Sequence, residues 1–264
     1  NSPNNAGRNQ ITTMITDWHF YAAAIPAVIL MGLSKGGFAG IGAIGLPLLA
    51  LALPPIQAAA IMLPILMLQD LVSVWAFRKE FDPRNLKIII PGGMIGIACG
   101  GVLLTMITDA FVQLLVGLIA AGFVLYSWLR KGGLDAPASQ ARTLPGLFWS
   151  AIAGFTSFMA NAGQPPLQVF VLPQKLPPRI YAGTFTFFFF SVNIVKFIVF
   201  WALGQVSQGN LATSAVLFPL AFASTLGGVW LVRRIDSRPF YRIIYILTFV
   251  LGLKPIWDGA RAYF

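Results

Sequence analysis

The stretch Arg78-Lys79-Glu80-Phe81-Asp82-Pro83-Arg84-Asn85-Leu86-Lys87 separates two long apolar runs and contains four basic residues. Runs of about 20 apolar residues can cross a bilayer as helices, and basic loops between such helices stay on the cytoplasmic side. In the second half of the chain the equivalent loop, Gly204 to Asn210, has no charge. The basic cluster there follows the next apolar run, at Arg233, Arg234, Arg238 and Arg242. Two similar units with alternating basic loops are expected to face opposite sides of the membrane, as inverted repeats do in secondary transporters.

The composition is that of a membrane protein, because 57% of the 264 residues are hydrophobic and only 10% are charged. Soluble domains have about 25% charged residues. The formal net charge of +10 comes from bases grouped between apolar runs, which indicates cytoplasmic loops rather than a nucleic-acid surface. The single cysteine, Cys99, excludes an intramolecular disulfide, and the single histidine, His19, argues against a histidine metal site. No cofactor is expected.

The chain divides into a polar tail (1–17), a first transmembrane repeat (18–130), a cytoplasmic linker (131–145) and a second transmembrane repeat (146–264). The predicted fold is an all-α polytopic membrane protein in which each repeat has a broken, re-entrant hairpin followed by three transmembrane helices. These six helices are predicted at Ala58–Phe77, Ile88–Ile107, Phe111–Leu129, Ile180–Leu203, Leu211–Val232 and Phe240–Trp257. All basic regions fall on the cytoplasmic side of the membrane only if the first apolar segment of each repeat enters the membrane and returns to the same side. Both termini are then on the outer side.

Matching residues support the repeat. Gly100-Gly101-Val102-Leu103-Leu104, followed by Asp109, aligns without a gap with Gly227-Gly228-Val229-Trp230-Leu231, followed by Asp236. The two aspartates are predicted to cap helix N-termini. Counting from Pro54-Pro55 and Pro177-Pro178, Asp70 pairs with Asn193 across the repeats. These two side chains are therefore expected to flank the pseudo-symmetry axis.

The two hairpin tips are the predicted substrate site. They comprise Ser34, Lys35, Gly36, Gly37 and Phe38 in the first repeat, and Asn161, Ala162, Gly163 and Gln164 in the second. Non-helical backbone at membrane depth is tolerated only where protein or a water-filled cavity satisfies its polar groups. Half-helices that end at such tips are expected to expose N–H groups and positive dipole ends, both of which favour an anion. The alternative is that the glycines only allow helices to pack closely.

Three ionisable residues are predicted inside the membrane, where such side chains are costly and indicate function. Lys35 either complements a bound anion or extends to the interface. Lys196 lies three residues after Asn193, on the same helix face. Asp70 either neutralises Lys35 or Lys196 as a structural pair, or acts as a protonatable group that couples transport to protons.

The segment Gly32-Leu33-Ser34-Lys35-Gly36-Gly37-Phe38, with Pro47 and Pro54-Pro55 after it, resembles the sulfite exporter TauE/SafE family of membrane permeases, grouped with the 4-toluene sulfonate uptake permeases. Asn161-Ala162-Gly163, Gly183-Thr184 and Gly227-Gly228 in the second half fit this resemblance. Gln164 departs from it, since such permeases often have glycine there. The resemblance implies transport of sulfur-containing anions, such as sulfite, sulfonates or sulfoacetate, or of related organic anions.

The sequence thus predicts a secondary transporter, not an enzyme, in the cytoplasmic (inner) membrane of a bacterium. The alternatives are an anion channel, which could use the same dipole-lined tips, and a carrier of a non-sulfur organic anion. The expected partners are a small anionic substrate and the lipid bilayer, with no nucleic acid. A homodimer is also considered.

Overall fold

A computed structural model describes residues 15, 17–38, 41–49, 52–53, 55–103, 106–129, 137–202 and 208–261. Within these ranges all regular secondary structure is helical, as predicted. Nearly all of the polar tail, residues 131–136 of the linker and residues 204–207 of the uncharged loop lie outside the described residues.

The first half contains α1 to α5 and the second half α6 to α10. The first five are α1 (Trp18–Lys35), α2 (Gly45–Leu49), α3 (Pro55–Ala76), α4 (Pro83–Leu103) and α5 (Asp109–Leu129). The next five are α6 (Thr143–Ala160), α7 (Gln164–Val171), α8 (Pro178–Ala202), α9 (Gln208–Arg234) and α10 (Ser237–Arg261). Short 3-10 helices, Ile41–Ile44 and Leu172–Gln174, precede α2 and follow α7.

Five of the described helices contain segments long and apolar enough to cross a membrane, as expected of a multi-pass membrane protein. These segments are Pro83–Leu103, Ala110–Leu129, Pro178–Val199, Gly209–Arg234 and Ser237–Arg261. Each corresponds to a helix predicted from an apolar run. The sixth predicted helix is α3, of which Ile61–Ala76 is apolar.

Helices from opposite halves make the most extensive contacts. Helix α4 packs along α6, and α9 packs along α1. The last helices of the halves, α5 and α10, pack against each other, as do α3 and α8. Glycine allows some of these close approaches: a Cβ atom at position 36 would lie 2.5 Å from the Cα of Gly228.

Two helices begin close to boundaries that the sequence predicts. Helix α6 begins at Thr143, inside the range assigned to the linker. The N-cap of α5 is Thr108 rather than Asp109, because the Thr108 hydroxyl accepts a hydrogen bond from the Phe111 N–H at 3.3 Å. Threonine caps helices nearly as well as aspartate, so the sequence alone does not distinguish these neighbours. In α10, the Phe240 N–H donates to the Asp236 carbonyl at 3.1 Å.

Candidate functional site

The first turn follows α1, which ends at Lys35. The N–H groups of Gly36 and Phe38 donate to the carbonyls of Gly32 and Leu33, at 2.8 and 3.2 Å. Gly37 has a φ of 127°, a conformation that favours glycine. A Cβ atom there would also lie 2.6 Å from a methyl group of Val232. Gly37 is therefore required for the turn and for its packing.

The second turn follows α6 and begins with Asn161, the C-cap residue, whose φ of 53° is left-handed. Asparagine is among the few residues that adopt this conformation readily at a helix C-terminus. Helix α7 then begins at Gln164, with Pro165 and Pro166 in its first turn. Proline is favoured there because it gives up an N–H that has no partner within the helix.

Five backbone amides that follow α1 and α6 are hydrogen-bonded within the turns. In the first turn, the N–H groups of Gly36, Gly37 and Phe38 donate to carbonyls of α1. In the second, Asn161 and Ala162 donate to carbonyls of α6, at 3.1 and 3.2 Å. The backbone of both turns is thus used to close helix ends. These five amides are therefore not available to an anion.

The two turns are in direct contact although 130 residues separate the contacting side chains. The Gln164 amide Nε2 donates to the Ser34 hydroxyl at 3.2 Å, and Ser34 is buried. Gly163 also lies close to the body of α6, since a Cβ atom there would meet the Ala153 carbonyl and come within 2.8 Å of the Ser157 Cβ. Phe38 turns away from this contact and packs edge-on against Phe240 at 6.0 Å between ring centroids.

Asp70 connects the first turn to the second half of the chain. Its carboxylate forms an ion pair with Lys35, with 2.6 Å between Oδ1 and Nζ. Its other oxygen accepts a hydrogen bond from the Asn193 side chain at 2.6 Å. The Asp70 side chain is fully buried, and that of Lys35 is only 14% exposed. The structure thus pairs Asp70 with Lys35 and not with Lys196.

Lys196 contacts the second turn but no carboxylate among the residues described. Its ammonium group donates to the Ser157 carbonyl at 2.9 Å and to the side-chain oxygen of Asn161. Lys196 is only 2% exposed. Lys35 is the last residue of α1, and the Lys196 ammonium contacts the C-terminal end of α6. The helix dipole favours a cation at both places.

The structure adds three residues to the site predicted from the sequence. The Phe189 ring lies 5.6 Å from the Lys35 ammonium. The Ser73 hydroxyl donates to the Lys35 carbonyl at 3.0 Å, and Ser157 supplies the carbonyl that binds Lys196. Phe189 precedes Asn193 by one helical turn, so extending the Asn193 and Lys196 face would have found it. The sequence carries no comparable signal for Ser73 or Ser157.

The family model described as sulfite exporter TauE/SafE matches residues 24–254. The chain belongs to this family. The match covers both turns and every residue of the site, so the resemblance noted from Gly32–Phe38 is confirmed. No curated protein and no solved structure matches the chain. Members of the TauE/SafE family are membrane transporters, and membership implies transport of sulfite or a related anion.

Proposed function

We propose that this TauE/SafE protein is a secondary carrier of a small sulfur-containing or organic anion, of the sulfite, sulfonate or sulfoacetate type. The anion binds between the two turns, near the midplane of the membrane. Lys196, Lys35 and Asn161 contact it, and Ser34 and Gln164 close the other side. The glycines of the turns, Gly36, Gly37 and Gly163, shape the site by packing and do not contact the anion.

The excess of positive charge among the site residues carries this proposal. Lys35 is neutralised by Asp70, whereas the contacts described for the buried ammonium of Lys196 are with neutral oxygens. A buried charge without a counter-ion is costly. An anion at Lys196 would supply that counter-ion. Asn161 is exposed, so its contact with Lys196 gives a bound anion a route to the ammonium.

Reciprocal contacts support an inverted-repeat architecture. In the contact of α6 with α4, Phe158 lies against Gly100, 3.1 Å from a Cβ atom placed there. In the contact of α1 with α9, the Leu33 carbonyl oxygen lies 2.7 Å from a Cβ atom placed at Gly228, and the Leu33 side chain lies 3.9 Å from one placed at Gly227. Packing of a helix from each half against a helix of the other half is expected of two units related by a pseudo-twofold axis.

Asp70 is best explained as the counter-ion of Lys35. Its two oxygens are both used, one by the Lys35 ammonium and the other by the Asn193 amide. We therefore favour the charge-pair role over proton coupling. In the coupling alternative, Asp70 binds a proton during transport and releases Lys35.

The orientation of the protein in the membrane and its cellular location follow from the basic loops. The basic regions, among them Arg78–Lys87 and Arg233–Arg242, are on the cytoplasmic side, and both termini are on the outer side. The protein then resides in the cytoplasmic membrane of a bacterium. A homodimer is compatible with this arrangement, and a size measurement in detergent would test it.

Counterflow in proteoliposomes tests the function. Vesicles loaded with unlabelled sulfite, sulfoacetate, taurine or a short carboxylate are diluted into the labelled compound, and uptake is followed. A carrier gives transient, saturable accumulation of label for the preferred anion. Ion current that does not saturate, without counterflow, would instead indicate a channel. Counterflow only with carboxylates would identify a carrier of a non-sulfur anion.

A further inference from the structure

A cavity of about 260 Å³ lies between the C-terminal ends of α3 and α9. It is lined by Trp75, Ala76, Arg78, Lys79, Glu80 and Arg233. Clefts that hold drug-sized ligands measure about 300–1,000 Å³, so this cavity suits a more compact group. We infer that it binds the phosphate headgroup of an anionic lipid.

The charges of the cavity favour an anion. Arg233 is held in place, since its guanidinium donates to the Ala76 carbonyl at 2.8 Å and lies 3.6 Å from the Glu80 carboxylate. Glu80 is therefore balanced by Arg233. Arg78 and Lys79 are exposed at the rim. The Arg78 guanidinium donates to the Trp75 carbonyl at 2.7 Å, and the positive charges of Arg78 and Lys79 remain in excess.

An exposed tryptophan makes a lipid the expected source of the phosphate. Trp75 occupies the last turn of α3 and is 63% exposed. The Arg78 guanidinium lies 5.2 Å from the centroid of its ring. Tryptophan at the end of a membrane span lies at headgroup level, and basic pockets between spans on the cytoplasmic side bind anionic headgroups. An apolar wall beside a cationic rim matches an amphipathic ligand better than a free ion.

The cavity shares no lining residue with the proposed substrate site, so either can fail without the other. None of the residues lining the cavity contacts Lys35, Asp70 or Lys196 through a hydrogen bond or ion pair among the described residues. The lipid would contact α3 and α9 together, the two helices that Arg233 already joins.

Lipid titration of the detergent-purified full chain tests the inference. Phosphatidylglycerol, phosphatidylcholine and inorganic phosphate are added separately, and binding is followed by native mass spectrometry and by thermal stabilisation. We compare the double variant Arg78→Gln/Lys79→Gln with Arg84→Gln/Lys87→Gln. The second pair removes the same charge from exposed positions of the same basic stretch, outside the cavity.

We expect the wild type to bind phosphatidylglycerol in preference to phosphatidylcholine. The cavity variant should bind it about tenfold more weakly, and the control variant should lose less than about threefold. The charge-preserving variant Arg78→Lys/Lys79→Arg should retain binding, which separates lost charge from lost folding. Equal losses in the two glutamine variants, or no preference between the lipids, would overturn the inference. Stabilisation by inorganic phosphate at the same concentration would overturn the assignment to lipid.

Discussion

The Asn193 side chain donates a hydrogen bond to the Asp70 carboxylate at 2.6 Å, and both side chains are buried. The two residues lie 123 positions apart in the chain. Their contact joins α3 to α8, and the Lys35 ion pair joins Asp70 to the first turn. Removing any one of the three should therefore disturb the other two.

Replacing Asp70 by asparagine should destabilise the protein strongly. The change leaves the Lys35 ammonium buried without its counter-ion, and breaking a buried pair typically costs about 3–5 kcal/mol. The free energy of unfolding in detergent is the measurement. The double variant Lys35→Gln/Asp70→Asn should recover part of the loss. Asp258→Asn is the matched control, because Asp258 pairs with Lys254 on the surface of α10.

A different outcome for Asp70→Asn would support proton coupling. In that case the variant would fold normally and exchange the anion, but it would lose accumulation driven by a pH gradient. Wild-type stability together with that defect would contradict the charge-pair role.

Gly154→Ala should disrupt the packing of α6 against α4. A Cβ atom at this position would meet the backbone of Gly93, and overpacking costs about 1–3 kcal/mol. Gly122→Ala is the control, since a Cβ atom added to Gly122 would have no neighbouring atom of the described chain within 4 Å. Thermal unfolding should separate the two variants. Equal melting temperatures of the two variants would contradict the close approach of α4 and α6 at Gly154.

The contact between the turns predicts a specific cross-link. After Cys99 is replaced by alanine, cysteines introduced by Ser34→Cys and Gln164→Cys should be joined by a short bifunctional thiol reagent within one chain. The reason is the hydrogen bond between these side chains at 3.2 Å. Gel mobility after proteolysis between the halves is the measurement, and each single-cysteine variant serves as a control. Failure of the double variant to cross-link would argue against turns that meet.

Asn85→Ala should lower stability through a buried amide pair. Asn85 and Gln174 each donate to the other, at 2.9 and 3.1 Å, and both are buried. An unsatisfied buried amide costs about 1–3 kcal/mol. The neighbouring substitution Arg84→Ala changes an exposed residue and should stay within about 0.5 kcal/mol. Chemical unfolding of the two variants in detergent provides the comparison, and similar losses would show that the pair contributes little.

The helices and the positions of both turns could be predicted because the length of an apolar run indicates a helix and glycine and proline indicate a turn, and both are read from a short stretch of sequence. Counting residues from Pro54-Pro55 and from Pro177-Pro178 matched Asp70 with Asn193 across the predicted repeats. The hydrogen bond between the two side chains is seen only in the structure. The choice of Lys35 over Lys196 as the partner of Asp70 could not be predicted, because it depends on how α1, α3 and α8 pack. The sequence therefore left both lysines open.

The backbone amides that follow α1 and α6 could not be assigned from the sequence. Glycine-rich tips indicate free amide N–H groups only if those groups do not donate hydrogen bonds to the last turn of the preceding helix. Here Gly36 and Asn161 close their helices with hydrogen bonds back to the last turn, at 2.8 and 3.1 Å. The Pro165-Pro166 pair, which suggested a ligand site, starts α7. Side-chain cations, not exposed amides, are thus the basis of the proposed anion site.

Anion binding by Lys196→Gln is the most direct test of the proposed site. Purified wild type, Lys196→Gln and the surface control Lys254→Gln are titrated with sulfite, thiosulfate and sulfoacetate, and thermal stabilisation gives the affinities. A hydrogen bond to a charged group contributes about 1.5–3 kcal/mol. We therefore expect at least one of these anions to stabilise the wild type and Lys254→Gln equally, and to bind Lys196→Gln at least about tenfold more weakly. Equal affinity of all three proteins for that anion would contradict the account.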